Sequence, residues 1–231
     1  MKLREVRTIA KIQIRGVIVD NDDKWIYDWF DIEATSPREV TKVLGDLKGE
    51  EVEVEISSIG GSVWAGSEIY TALKNYKGRV IVAITGIAAS AASVVAMAGN
   101  LVKIAPTAQI MIHNVSNVAY GDYRDMNHAG EVLKNYNTSI ANAYRLKSGL
   151  NESELLEMMN KETWMTAQQA KEKGFVDEIM FDNDMKLVAS IHSNLIPEAV
   201  IAKMRASKQN PQIKNAEARL SLLRMKGEPN V

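Results

Sequence analysis

Two serines three positions apart, Ser90 and Ser93, lie in "GIAASAASVVAMAGN" at residues 86–100, and a histidine, His113, closes the short apolar run "QIMIHN". A serine hydroxyl becomes a nucleophile when an imidazole takes its proton and a third group holds the imidazole in place. In "ITGIAAS" an apolar strand is expected to end at Thr85, Gly86 permits a tight turn, and Ser90 falls in the first turn of the next helix. A hydroxyl there lies beside unpaired backbone N–H groups and the positive helix end, which favour charge developing on an acyl intermediate's oxygen. Ser93, one turn further in, is expected to be more buried and to bond back to a carbonyl. Either residue alone has a structural reading, a helix cap for the serine and a rim position for the histidine. Together they point to acyl transfer.

Three carboxylates are candidates to orient His113: Glu162 in "NKETWMTA", Asp177 in "GFVDEI", and Asp122. Glu162 stands out because the apolar Trp164–Met165 pair follows it and is expected to shield it partly. A second glycine turn, "SSIGGSVWAG" at 57–66, lets backbone N–H groups approach a ligand because no Cβ stands in the way. It has neither the lysine of a P-loop nor the glycine spacing of a dinucleotide fingerprint. His128 falls within a polar helical segment, His192 lies near the C-terminus, and no two histidines share metal-ligand spacing. No metal and no cofactor are expected.

These residues need a scaffold, and 231 residues with 46% hydrophobic content suffice for one sizeable core. With 28 basic and 29 acidic residues, the net charge of -1 gives no footprint for nucleic acid or an anionic membrane. There is no cysteine, hence no disulfide, catalytic thiol or thiolate metal site. The N-terminus has no continuous apolar core of a signal peptide. The apolar stretch from Gly86 to Gly99 is too short to span a bilayer. A cytoplasmic protein is the default expectation.

Along the chain, "AKIQIRGVIV" (10–19) alternates as a strand, and "SPREVTKVLGDLKG" (36–49) reads as a capped amphipathic helix with Val40, Val43, Leu44 and Leu47 on one face. "EVEVEIS" (51–57) then alternates with period two before the glycine turn and a helix through Ile69, Leu73 and Tyr76. "RVIVAIT" (79–85) and the helix carrying the serines repeat that order. Two consecutive strand–turn–helix units imply a largely parallel sheet covered by helices. Ligands of such sheets collect outside the carboxyl ends of the strands, where both glycine turns fall. "LVKIAP" and "AQIMIHN" read as short strands, 122–148 as a long helix able to project from the core, 151–173 as two helices parted near "KETWMTA", and "GFVDEIM" as a closing strand. Domain boundaries are expected at 1–187 for the main domain and 188–231 for an extension with a polar linker and a short amphipathic helix.

Four blocks in order carry a family resemblance. "SSIGGSVWAGSEIYTAL" resembles "NSPGGSVxAGxxIYDxM", "TGIAASAASVVAMAG" resembles "xGxAASMGAxLLxAG", "AQIMIHN" resembles "SRxMIHQP", and "TWMTAQQAKEKGFVDEI" resembles "RFLSAxEAxEYGLVDxI". All four are blocks of the ClpP family of serine peptidases, and the chain is most similar to the divergent members encoded in phages and prophages. The resemblance implies an α/β fold, the ClpP/crotonase-like spiral of ββα units with a projecting helical handle. It places the nucleophile on Ser90, excluding Ser93, the general base on His113 and the triad acid on Glu162, a longer arm than the family's aspartate. The oxyanion donors become the backbone N–H groups of Gly61 and Ala91. Ile59 stands where the family has proline, and Asn160 and Lys161 stand where it has a charged pair joining two rings.

Implied partners are a peptide or protein substrate, copies of the chain in stacked heptameric rings, and, in the household role, a Clp ATPase. The resemblance to phage members implies capsid or scaffold trimming instead. Two other expectations compete with a serine endopeptidase. One is a catalytically inactive assembly subunit, whose Glu162 carboxylate would turn away from His113. The other is a crotonase-type acyl-CoA enzyme, which needs neither Ser90 nor His113.

Overall fold

A computed structural model describes residues 9–182. Eight strands form one sheet, in the order β2-β1-β3-β4-β5-β8, with β6 pairing to β4 and β7. Every pairing is parallel except β6 with β7. Strand β1 (Ala10–Ile18) leads through a short helix α1 (Lys24–Trp29) and β2 (Ala34–Thr35) into α2 (Pro37–Asp46). Pro37 presets the first helical φ at the start of α2. Glu39 accepts from both the Ser36 N–H and its hydroxyl, while Val40 and Leu44 turn into the core.

Strand β3 (Val52–Gly61) buries every second residue from Val52 to Gly60, and α3 (Val63–Asn75) packs Ala65, Ile69 and Leu73 inward. Its start is capped by Ser62, whose Oγ accepts from the Ala65 N–H. Strand β4 (Val80–Ala89) is central and runs further than its sequence suggests: the chain does not turn at Gly86. Its first half pairs with β5 (Leu101–Ile104) and its second half, Ile87–Ala89, with β6 (Gln109–Ile112). The bend between the halves lies where β3 and β4 crowd each other, and a Cβ on Gly86 would sit 2.7 Å from Ser57 Oγ. Gly86 thus lies within the strand rather than at a turn, and a larger residue there would need the Ser57 hydroxyl to rotate away.

Helix α4 (Ala91–Ala96) is buried throughout. Helix α5 (Tyr123–Ser148) matches the expected long segment: none of residues 123–139 is buried, whereas Ile140, Ala141, Ala143 and Tyr144 enter the core. Helices α6 (Glu152–Asn160) and α7 (Ala167–Glu172) are separated by a strand, β7 (Thr163–Thr166), that sequence periodicity does not single out, and β8 (Glu178–Ile179) shortens the expected closing strand to two residues. No described helix is long and apolar enough to cross a membrane. The expected extension at 188–231, with His192, lies outside the described residues.

Candidate active site

Strand β4 delivers its chain directly into α4, and Ser90 occupies the corner. Its backbone, at φ 54° and ψ −127°, is strained for a residue with a side chain. Surrounding bonds hold it there. The Ser90 N–H donates to the Met111 carbonyl at 3.0 Å, and the Ser90 carbonyl accepts from the Ser93 N–H at 2.9 Å and the Ser93 hydroxyl at 2.6 Å. The strain lifts the Ser90 side chain to the end of the sheet, half-buried.

His113 follows β6, the strand paired with the last residues of β4, and its Nε2 is hydrogen-bonded to Ser90 Oγ at 2.8 Å. Just beyond it, the Val115 N–H donates to Asn137 Oδ1 of α5 at 2.8 Å, which ties the segment after His113 to the long helix. Ser90 and His113, 23 residues apart, therefore meet at a distance suited to proton transfer.

The end of β3 forms the other wall. In the parallel ladder Ile18 of β1 lies opposite Gly61, and the Ile18 carbonyl accepts from the Ser62 N–H at 2.8 Å. Ile18 thus bonds the neighbours of Gly61, so the N–H of Gly61 points away from β1, toward the side where β4 has left the ladder. The N–H of Ala91, which opens α4 and precedes any intrahelical acceptor, belongs to the same cleft. Glycine is required at residue 60: φ is +92°, and a Cβ would stand 2.6 Å from the Ala89 carbonyl and 2.7 Å from Ser90 Cβ. Gly61, Ala91, Ser90 and His113 line one small cleft of about 80 Å³.

Ser93 is fully buried, as its place in the helix suggests, and Tyr144 from α5 lies against it. The single Ser93 proton goes to the Ser90 carbonyl, so in the 2.7 Å contact between the two hydroxyls Tyr144 donates. Burial pushes the Tyr144 phenol well above the ordinary tyrosine range, which keeps that proton in place. Tyr144 and Asn137 were not singled out by sequence. Their only signal there is a polar group on the inward face of an amphipathic helix.

Glu162 is the member that the structure does not bring to the imidazole. Its Oε1 accepts from Trp164 Nε1 at 3.2 Å, and no ion pair to His113 forms among the described residues. The expected shielding is also absent: in β7 Met165 is buried and Trp164 exposed, and Glu162, in the turn just before the strand, is exposed beside Trp164. β6 and β7 pair as Gln109↔Thr166 through Ile112↔Thr163, and the ladder ends there: His113 and Glu162 are the next residues on each side of that last pair, with Glu162 in a left-handed turn at φ 50°. The other two acids are engaged elsewhere: Asp177 with Lys147 and the Val102 N–H, and Asp122 as the cap of α5. Asn160, one of the two departures from the ring-joining pair, accepts from Asn114 at 2.8 Å. His128 is exposed on α5, and among the described residues no three His, Asp or Glu side chains gather as a metal site.

Comparison with known proteins bears on the family and the fold. The chain is 32% identical over 134 residues to the ATP-dependent Clp protease proteolytic subunit of Bacteroides fragilis, a match covering 57% of this chain and 65% of that protein. It spans less than two thirds of the length of that relative and of its Bacteroides thetaiotaomicron counterpart, where coverage is 61%. A proteolytic subunit 1 of Protochlamydia amoebophila is 30% identical over 177 residues, covering 73% of this chain and 84% of that one. Among solved structures, a mutant ClpP1 from Listeria monocytogenes superposes with a TM-score of 0.62 at 21% identity, covering 75% of this chain and 92% of the other, so the fold is ClpP-like. Residues 31–183, which include the serine corner, the histidine and the strand bearing Glu162, match the Clp protease family model, and the chain belongs to that family.

Proposed function

We propose that the chain is a serine endopeptidase. Ser90 attacks the scissile carbonyl, His113 takes the serine proton and returns it to the leaving amine, and the N–H groups of Gly61 and Ala91 hold the oxyanion. The observation that carries this reading is the 2.8 Å bond between Ser90 Oγ and His113 Nε2 at a strained strand-to-helix corner. Glu162 completes the triad after a side-chain rotation. It adjoins β7, the strand paired with the one His113 follows, and its present bond to Trp164 is exposed, so water can replace that partner at little net cost.

Assembly into rings of identical subunits accompanies this activity. The aromatic side chains of α1 and the loop after it support an assembly: Trp25, Trp29 and Phe30 are 59%, 77% and 61% exposed, an apolar surface that association would cover. Substrates are unfolded segments of proteins, in either of two settings, trimming of phage capsid or scaffold proteins or degradation fed by a Clp ATPase. One observation favours a second reading, an inactive assembly subunit: the Glu162 carboxylate faces Trp164.

Hydrolysis of an unstructured protein such as casein separates the two. The peptidase reading expects new peptide ends from the wild type and none from Ser90→Ala or His113→Ala. Equal cleavage by wild type and Ser90→Ala, or none by any assembly state of the folded wild type, overturns it.

A further inference from the structure

Beside the cleft at Ser90 lies a second, larger cavity of about 540 Å³, and Gly61, Val63, Val115 and Ser116 line both. Its walls come from the start of α3 and the exposed half of α5. Trp64 Nε1 donates to Tyr136 OH at 2.7 Å and the two rings meet edge to face, while Val132 and Leu133 add aliphatic surface. Of the residues lining this cavity only Asp20 is charged.

Asp20 follows β1 at the same sheet end as the glycine turn. It is half-buried, and Ser62 Oγ donates to its Oδ1 at 2.8 Å, which fixes the carboxylate and leaves Oδ2 for another donor. No described lysine or arginine pairs with it. The nearby cation Lys24 is committed to Asp28 and Glu39. An immobilised carboxylate at the wall of an aromatic and aliphatic cavity matches a side chain with an apolar stem and a cationic end. The ring faces of Trp64 and Tyr136 can attract a cation nearby.

We propose that this cavity is a substrate subsite for lysine or arginine, with Asp20 as its specificity-determining residue. The site deepens the peptidase reading and rests on it: a substrate segment places a small or medium residue in the tight cleft at Ser90 and a basic residue in the neighbouring cavity. An extended segment fits, since alternate side chains of a strand-like peptide enter successive pockets while its backbone bonds to the sheet end.

The test uses full-length Ser90→Ala protein, in which binding is read without turnover. The probes are fluorescein-labelled ten-residue peptides in which one lysine, or one norleucine in its place, steps along an alanine-rich sequence. Fluorescence anisotropy is expected to show at one register about tenfold tighter binding of the lysine peptide. Adding Asp20→Asn, which keeps an acceptor for Ser62, brings the ratio to within about twofold. Raising salt from about 0.05 to about 0.5 M does the same without any substitution at residue 20, because screening weakens a half-exposed pair. Equal binding of the two series to Ser90→Ala protein overturns the proposal, as does a lysine preference that survives Asp20→Asn or high salt. Should the wild type cleave nothing while the lysine preference holds, the peptidase reading fails and the basic subsite stands.

Discussion

The buried chain Tyr144 OH to Ser93 Oγ to the Ser90 carbonyl makes a quantitative prediction, because its three members lose different things on substitution. Ser93 is 0% and Tyr144 1% exposed, so water does not reach a hydroxyl left behind. Ser93→Ala strands the Tyr144 proton and should cost about 1–3 kcal/mol, the desolvation penalty of an unpaired buried donor. The Ser90 carbonyl is not stranded, since it keeps the Ser93 and Val94 N–H groups. Tyr144→Phe removes the donor itself and leaves Ser93 bonded to Ser90, so only one hydrogen bond is lost, about 0.5–1.5 kcal/mol. In the double variant nothing is stranded. Its loss should fall below the sum of the two single losses by about 1 kcal/mol, a coupling expected for residues in direct contact. Urea unfolding followed by far-ultraviolet circular dichroism measures all four proteins. Strictly additive losses would refute the bond as the reason for the burial of both hydroxyls. So would Tyr144→Phe costing more than Ser93→Ala, since it would mean that Tyr144 is not the donor.

Gly60→Ala places a Cβ against Ser90 and the Ala89 carbonyl at a φ of +92°. It should cut peptide hydrolysis by at least about 10²-fold, as loss of an oxyanion donor does, and near-wild-type turnover would contradict the placement of the glycine strand. If Glu162 rotates to His113 during catalysis, Glu162→Gln lowers kcat while Trp164→Phe, which removes the competing donor, does not. Unchanged kcat in Glu162→Gln would remove it from the triad. Arg124 and the backbone N–H groups beside Asp122 hold its carboxyl below the ordinary value of 3.8. A depressed folded pKa means that the stabilisation is present above the unfolded value and is lost as pH falls through the folded one. Hydrogen exchange should therefore show the start of α5 opening below pH 3.8, relative to Ile140–Tyr144, and Asp122→Ala should open it at neutral pH. Equal pH response at both ends of the helix would contradict this.

Ser90 and His113 were legible in the sequence because each ends a short apolar run, and strand ends of a parallel sheet gather on one side. Helix α2 was legible for a local reason, a Ser-Pro start with apolar residues at helical spacing. What escaped depends on contacts remote along the chain. Gly86 reads as a turn until β4 is seen to run through it and pair Ile87–Ala89 with the distant β6. Tyr144 meets Ser93 across 51 positions, and Asp20 meets Ser62 across 42. Helix α1 buries none of its residues, so it has no apolar stripe turned to a core from which to recognise it. Glu162 sits in a left-handed turn just before β7 and is exposed beside Trp164, whereas the apolar neighbours had suggested shelter.

The central claim is that His113 activates Ser90. Its most direct test is covalent labelling of the purified protein with a fluorophosphonate, mapped by peptide mass spectrometry. The account predicts a single adduct on Ser90, retained in Ser93→Ala, and slower by about 10²–10⁴-fold in His113→Ala, the range that a positioned general base contributes. An adduct on another serine, or labelling of Ser90 at the same rate with and without the imidazole, would contradict it.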